Sequence, residues 1–460
     1  MPLPIVLVHG YSDRGESFKR WAAILRARGY QATPIRIADY QTLTNEITLK
    51  DIAEAFDRAL RVTAELKEGQ PFDAVVHSTG MLVVRSWLVT YAGRKRRLRH
   101  LIGLAPATFG SPIAHKGRSW LGAIFKGRKE LGPDFLEAGD LVLDGLELAS
   151  SFTWNLAHLD LVGDEAFYGP DKTTPYPFVF CGTDSYGGLR RVINEPGTDG
   201  TVRWAGCALN TRKIELDLRL DPSRPAAERR VKFGGMENLK RMPLILVKDL
   251  NHETIVSDPS SRLVTLVTTA LQVDSERGYK DWIAGAEKVS SSAARDVDAF
   301  QQFVVRALDE RGDPITDYNI QLFTRQGDRK TSALREFALD VHAYSGDKSL
   351  RCFHVNLSDM EYENLPNLWA RLIASSGTGL VTYTGYRELV SDVEQRPSKG
   401  EWSAEIDLSG LLGERAAVMY FYPFTTTLVE VRLDREPSPT EGVSKLLQWV
   451  ANERPTREAD

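Results

Sequence analysis

The stretch Phe72-Asp73-Ala74-Val75-Val76-His77-Ser78-Thr79-Gly80-Met81-Leu82-Val83-Val84 is an apolar run that reaches a serine, passes a glycine and continues apolar. It predicts a buried strand, a tight turn and a helix. Where a strand turns that sharply, the residue at the apex is held in an uncommon backbone conformation. Its side chain then stands clear of its neighbours, so a serine there presents Oγ to a carbonyl. Ser78 occupies that apex. The helix can pass close to the strand only if the flanking residues are small, and Gly80 meets that need. Val76 stands where a first glycine is usual, a departure from the pattern G-x-S-x-G. The plainer reading is a strand-to-helix turn with a capping serine, since serine is favoured just before a helix.

Working outward, Ile5-Val6-Leu7-Val8 is a short continuous apolar run ending in His9-Gly10-Tyr11, as expected for a strand covered on both faces. Such a turn leaves backbone N–H groups pointing into the crevice. One near Tyr11, with that of Thr79 after the serine, could bind an oxyanion. Phe18, Trp21, Ala22, Ile24 and Leu25 follow at helical spacing, Gly29 closes that helix, and Ala32 to Ile37 reads as a second strand. A further helix runs from Ile52 towards Leu66. The alternation is that of a parallel, doubly covered sheet with its ligand site at the carboxyl ends of the strands.

Downstream, Phe178-Val179-Phe180-Cys181 and Leu244-Ile245-Leu246-Val247 read as later strands of the same sheet. Each is followed by a loop that offers a partner for the serine. The first loop holds Thr198-Asp199-Gly200-Thr201-Val202 and the second Asn251-His252-Glu253. Ser, Asp, His is the chain order of an α/β hydrolase. In that reading His252 takes the proton from Ser78 and returns it to the leaving group, while Asp199 holds the imidazole and stabilises its charged form. Asp184, just after the first of these strands, is the alternative acid. No metal and no cofactor are expected.

Between Gly110 and about Leu161 the strand–helix rhythm stops. Trp120, Leu121, Ile124, Phe125, Phe135, Leu136, Leu141 to Leu148 and Trp154 form short amphipathic pieces among basic residues. Two readings stand, a cap or lid over the site and plain helical packing. The basic run Arg94-Lys95-Arg96-Arg97-Leu98-Arg99 reads as a solvated helix end or as a patch for anionic lipid headgroups.

Composition sets the bounds. A chain of 460 residues exceeds what one core usually organises, so two domains are expected. With 42% hydrophobic and 26% charged residues the protein reads as globular, and a formal charge of -4 argues against a dedicated nucleic-acid binder. Cys181, Cys207 and Cys352 are widely spaced and without C-x-x-C, so buried thiols are expected rather than a disulfide framework or a zinc site. The apolar N-terminus lacks a basic flank and breaks at His9, so it reads as a strand rather than a signal peptide and the expected location is cytoplasmic.

Taken together, Val76-His77-Ser78-Thr79-Gly80 resembles the x-H-S-T-G elbow of PlaB-type bacterial phospholipases A, and the Asp199 and His252 loops resemble those of bacterial lipases. The resemblance implies an α/β-hydrolase domain paired with a β-rich C-terminal domain; with the insertion and the alternating runs, the expected fold is an α/β hydrolase with a helical cap insertion, followed by a mainly antiparallel β-sandwich domain. It implies hydrolysis of phospholipids and lysophospholipids, peripheral contact with membranes and a homo-oligomer. Carried over by motif, Ser78, Asp199 and His252 are the triad.

The expected divisions are a catalytic domain over 1–280 with its cap near 110–165, a polar linker or bridging helix over 281–298, a sandwich over 299–435 and a helical tail over 436–460. The sandwich rests on alternating runs such as Phe337-Ala338-Leu339-Asp340-Val341, and His342 and His354 are expected to be structural. In the tail, Val443, Leu446, Leu447 and Val450 share a helical face beside Trp449, for docking on this protein or a neighbouring subunit. The leading functional expectation is a serine esterase of glycerophospholipids. The alternatives are a carboxylesterase or triacylglycerol lipase indifferent to phosphate, and a non-catalytic hydrolase-fold binding protein.

Overall fold

A computed structural model describes residues 2–10, 18–35, 47–90, 97–115, 140–169, 173–188, 191, 194–220, 231–234, 242–326, 329–331, 341–344, 346–358, 368–386, 401–408 and 420–437. Tyr11, Arg94 to Arg96, Trp120 to Leu136 of the cap, most of the Phe337 strand and the tail stripe from Val443 lie outside these residues.

The first strands are β1 (Ile5–Val8), β2 (Ala32–Ile35), β3 (Phe72–His77), β4 (Leu98–Leu104) and β5 (Tyr176–Gly182). Then come β6 (Thr211–Asp217) and β7 (Val231–Gly234), which leave this sheet, and β8 (Leu244–Val247), which rejoins it. The sheet runs β2-β1-β3-β4-β5-β8 with every described pairing parallel. Every residue of β1, β3 and β5 is buried, because helices cover both faces. From β1 the chain steps outward to β2 and then returns past β1 to β3. The loops after β1 and β3 therefore part to opposite faces and open a crevice at the carboxyl edge between them. Gly10 follows β1 and Ser78 follows β3, so the elbow stands at that crevice.

The helices form where the sequence places them. Leu49–Val62 begins with a capping box in which Thr48 and Asp51 each satisfy the other's backbone, and Lys19–Arg26 buries Trp21, Ala22 and Leu25. The polar stretch read as a linker lies mostly within a helix, Glu276–Ala294, that is docked rather than free. The Tyr279 hydroxyl donates to Pro177 O at 2.8 Å, the Leu246 amide donates to Ser290 Oγ at 3.0 Å, and Trp282 packs edge-on against Phe178.

The second part contains β9 (Phe300–Asp309), β10 (Asp317–Gln326), β11 (Arg329–Thr331), β12 (Val341–Ala343), β13 (Leu350–Asn356), β14 (Leu368–Ser375), β15 (Val381–Thr384), β16 (Glu401–Asp407) and β17 (Thr426–Pro437). One sheet runs β11-β10-β14-β16 and the other β12-β13-β9-β17-β6-β7, with β15 paired to β17. A second core fills the space between them, including Ile214, Phe303, Val355 and Val431 from one sheet and Leu322, Leu372, Trp402 and Ile406 from the other. The C-terminal sheets are mainly antiparallel, as expected, and one feature departs from the expected divisions. The span 1–280 is not one unit in the sheets, since β6 and β7 are hydrogen-bonded into the C-terminal sheet. The centre of that sheet is parallel, β17 pairing in parallel with both β6 and β9, while the remaining pairings of both C-terminal sheets are antiparallel.

The elbow helix Gly80–Thr90 carries a fully buried Arg85. Its guanidinium grips Asp160 through two bonds of 2.8 Å, from the end of helix Ser151–Asp160 in the cap insertion. It also donates to Thr108 O at 2.7 Å, and the Tyr168 hydroxyl donates to Asp160 at 2.7 Å. Removing the carboxylate alone would strand a buried cation, which costs about 3–5 kcal/mol. Asp160→Ala is therefore expected to lower the unfolding free energy by about that amount, read as an earlier midpoint in a urea titration.

Candidate active site

Ser78 has φ +51°, in the left-handed region that a serine enters only when its surroundings impose it. Its carbonyl accepts from the Met81 amide at 3.2 Å and from the Ala107 amide at 3.0 Å, which fixes the turn from both sides. Gly80 is required by space, for a Cβ there would lie 2.5 Å from Val8 O. Gly10 is required as well, since its Cβ would lie 2.8 Å from Ser78 Cβ and 3.4 Å from Ser78 Oγ. Gly103 pairs with Val76 in the ladder, and a Cβ on it would sit 2.8 Å from Met81 Cε, in the first turn of the elbow helix.

The acid loop turns through Gly197 (φ +71°) and Gly200 (φ +98°), and Asp199 between them is fully buried. Asp199 Oδ1 accepts from the amides of Thr201 (3.0 Å) and Val202 (2.9 Å), and Oδ2 lies 3.0 Å from His252 Nδ1. The two loops are joined again by the backbone, where the His252 amide donates to Asp199 O at 3.1 Å. The histidine loop is shaped by Asn251, whose Oδ1 accepts from the amides of Glu253 (3.0 Å) and Thr254 (2.9 Å) and so starts the short helix Thr254–Ser257. With Nδ1–H donated to a carboxylate, His252 is left with a lone pair on Nε2, the tautomer a general base needs.

His77 joins this pair to the elbow. Its ring lies 4.6 Å from that of His252, centroid to centroid, and its Nε2–H donates to the His252 carbonyl at 3.0 Å. His252 thus packs on the residue immediately before Ser78, on the carboxyl side of the sheet. Burial, reinforced by neighbouring His252, holds the His77 imidazole well below its usual pKa of about 6.5, so it is neutral. Its Nδ1 is buried and has no hydrogen-bond partner among the described residues.

The alternative acid is not brought in. Asp184 is exposed, its carboxylate takes the Thr183 hydroxyl at 3.1 Å, and the imidazole is held by Asp199. Of the two oxyanion candidates, Tyr11 lies outside the described residues. Thr79 is buried directly after Ser78, and no described residue accepts its N–H. Gly10 and His77 were in view in the sequence but unassigned. The signal for Gly10 was its place beside His9 at the end of β1, and for His77 its adjacency to the serine; neither tells which atoms it would meet.

The C-terminal sheet that contains β9, β12 and β13 packs against the acid loop and the insertion. His354 stacks on Phe300 with centroids 4.4 Å apart, and a Cβ on Gly197 would come within 2.7 Å of both rings. His342 Nε2 meets Glu147 at 3.0 Å, at the base of the cap insertion. Both histidines are structural, and the first supports the acid loop.

No family model matches the sequence, and no curated protein matches it. Among solved structures, phospholipase PlaB from Legionella pneumophila is similar over 99% of this chain and 98% of its own, at 21% identity and a TM-score of 0.74. The same phospholipase in complex with thio-NAD matches with the same coverage at 22% identity and a TM-score of 0.73. The fold, with both of its parts, is that of PlaB.

Two outcomes follow from this geometry. Gly80→Ala pushes a methyl into the Val8 carbonyl and should destabilise the protein by about 1–3 kcal/mol in a denaturant titration. The unfolded chain binds a proton on His77 near pH 6.5 that the folded chain refuses, so stability is whole above that pH and falls as pH is lowered through it. His77→Gln, which keeps an amide donor for the His252 carbonyl, should flatten the slope of stability against pH below about 6.5.

Proposed function

We propose that this chain is a serine ester hydrolase that cleaves the fatty-acyl esters of glycerophospholipids and lysophospholipids through an acyl-enzyme on Ser78. The observation that carries the reading is the buried Asp199–His252 pair beside a serine in left-handed conformation, at the switch point of a parallel sheet. The PlaB fold, extending over both parts of the chain, supports the choice of phospholipid over other esters.

In this mechanism His252 Nε2 takes the proton of Ser78 as Oγ attacks the ester carbonyl. Asp199 holds Nδ1–H in place and stabilises the imidazolium. The oxyanion that develops is received by the Thr79 N–H and by one near Tyr11. When the carbon–oxygen bond to the leaving alcohol breaks, the imidazolium returns its proton to that alcohol. A water then attacks the acyl-enzyme, giving its proton to His252, and Ser78 leaves with that proton as the fatty acid is released. Nothing in these steps calls for a metal or a redox cofactor. Peripheral contact with a membrane surface, a homo-oligomer and a cytoplasmic location are part of the same proposal. Among the described residues no helix is long and apolar enough to cross a membrane.

A fluorophosphonate probe is expected to label the protein at Ser78. Ser78→Ala and His252→Ala should each lower fatty-acid release from defined phospholipids by about a thousandfold or more without unfolding the chain. Equal release by Ser78→Ala and wild type would refute the assignment of the nucleophile. Parallel assays on phospholipid, lysophospholipid, triglyceride and short-chain esters test the substrate class, and activity confined to the last two would refute the phospholipid reading.

A further inference from the structure

Asp199 Oδ2 is approached from two sides. His252 Nδ1 lies 3.0 Å away, and Cys181 Sγ, near the end of β5, lies 3.6 Å away. Cys207 Sγ, at the end of helix Trp204–Cys207, is 3.5 Å from Cys181 Sγ. Asp199, Cys181 and Cys207 are wholly buried. The Cys207 backbone is pinned in turn, its amide donating to Arg203 O at 2.9 Å and its carbonyl accepting the Thr108 hydroxyl at 2.7 Å.

We propose that Cys181 is a positioning residue for the proton relay: its S–H donates to the same carboxylate oxygen that receives His252, and Cys207 donates to Cys181 from behind. The inference rests on the reading of Asp199 and His252 as the relay.

The direction of these bonds follows from charge. A carboxylate oxygen only accepts, so the Cys181 proton points to Asp199 and the proton between the two sulfurs comes from Cys207. Burial pushes both thiols above their usual range, so both keep their protons at neutral pH. A thiolate here would instead repel the carboxylate. A sulfur donor is weak, which suits the position. It fills the buried side of Oδ2 and restrains the carboxylate while drawing off only a small part of the charge that stabilises the imidazolium.

The consequence has a sign. With the S–H removed, the charge on Oδ2 is shared with His252 alone, so the imidazolium is held more firmly and the basic form appears at higher pH. Among the described residues the titratable groups in contact with that imidazole are Asp199 and the neutral His77, and neither residue is replaced in these variants.

The experiment compares wild type with Cys181→Ala, Cys181→Val and Cys181→Ser, following kcat and KM on a short-chain ester from roughly pH 5 to 9 together with the melting temperature. Ala and Val are expected to move the acid limb of the profile upward and to lower kcat about fivefold at constant KM, the size of one modest hydrogen bond. Ser, which restores a donor, should overlay wild type. Val leaves no room for a water to replace the thiol, so it separates a true null from an Ala variant in which solvent has filled the gap. Superposed profiles for Val and wild type would overturn the inference, as would a Ser variant shifted as far as Ala. The underlying relay is tested separately by Asp199→Asn. If that variant keeps full activity the relay itself is absent, whereas if it is inactive and the Cys181 series overlays wild type, only the role of the thiol falls.

Discussion

A carboxylate sealed from water must find donors for both oxygens or destabilise the fold by several kcal/mol. Asp199 meets that demand with four described donors and no cation: two amides of its own loop, an imidazole N–H and a thiol. They come from three segments far apart in sequence, the end of β5, the loop at 199–202 and the turn after β8. Satisfying this one charge therefore draws together the elements that make the site. The loop can curl tightly enough only because Gly197 and Gly200 accept left-handed backbone.

The same constraint explains why the second part of the chain is not an appendage. Strand β6 starts four residues after Cys207 and pairs in parallel with β17, which pairs in turn with β9. The Thr426 hydroxyl, at the start of β17, donates to Ala205 O at 3.0 Å, inside the helix that carries Cys207. Phe300 and His354 close the space under Gly197. The sheet that begins after the acid loop is thus also the floor on which that loop rests, and the chain passes into it and back before reaching His252.

Much of this was legible in the sequence because the relevant signals are local. The continuous apolar runs of β1, β3, β5 and β8 mark strands covered on both sides, and the order Ser78, Asp199, His252 needs only a scan along the chain. Strands β6 and β7 escaped because their signal is mixed. Thr211-Arg-Lys-Ile-Glu-Leu-Asp217 has few apolar residues, and its fully buried Arg212 reads as a surface residue until the partner strand is known. Strand β14 alternates regularly between buried and half-buried residues, a period of two that marks a sandwich strand, and went unassigned all the same. The contacts among Gly10, His77, Cys181 and Asp199 carry no local signal, since each depends on which loop lies opposite.

The insertion after β4 can be judged from its anchors. Ser111 Oγ donates to Thr201 O at 2.6 Å, two residues from the acid. Glu147 meets His342, and the Leu148 carbonyl accepts the Tyr344 hydroxyl. Ser151 donates to Asp347 at 2.9 Å, and Asp160 is clamped by Arg85 and Tyr168. The buried ones among these contacts, at Thr201, Leu148 and Asp160, resist opening, because breaking them would leave a polar group stranded in the interior. The described helices of the insertion are thus tied down at these anchors. They tie the elbow helix on one side to the C-terminal sheet on the other, and so hold the serine, which the elbow alone would leave at the end of one strand, in register with an acid supported from a different sheet.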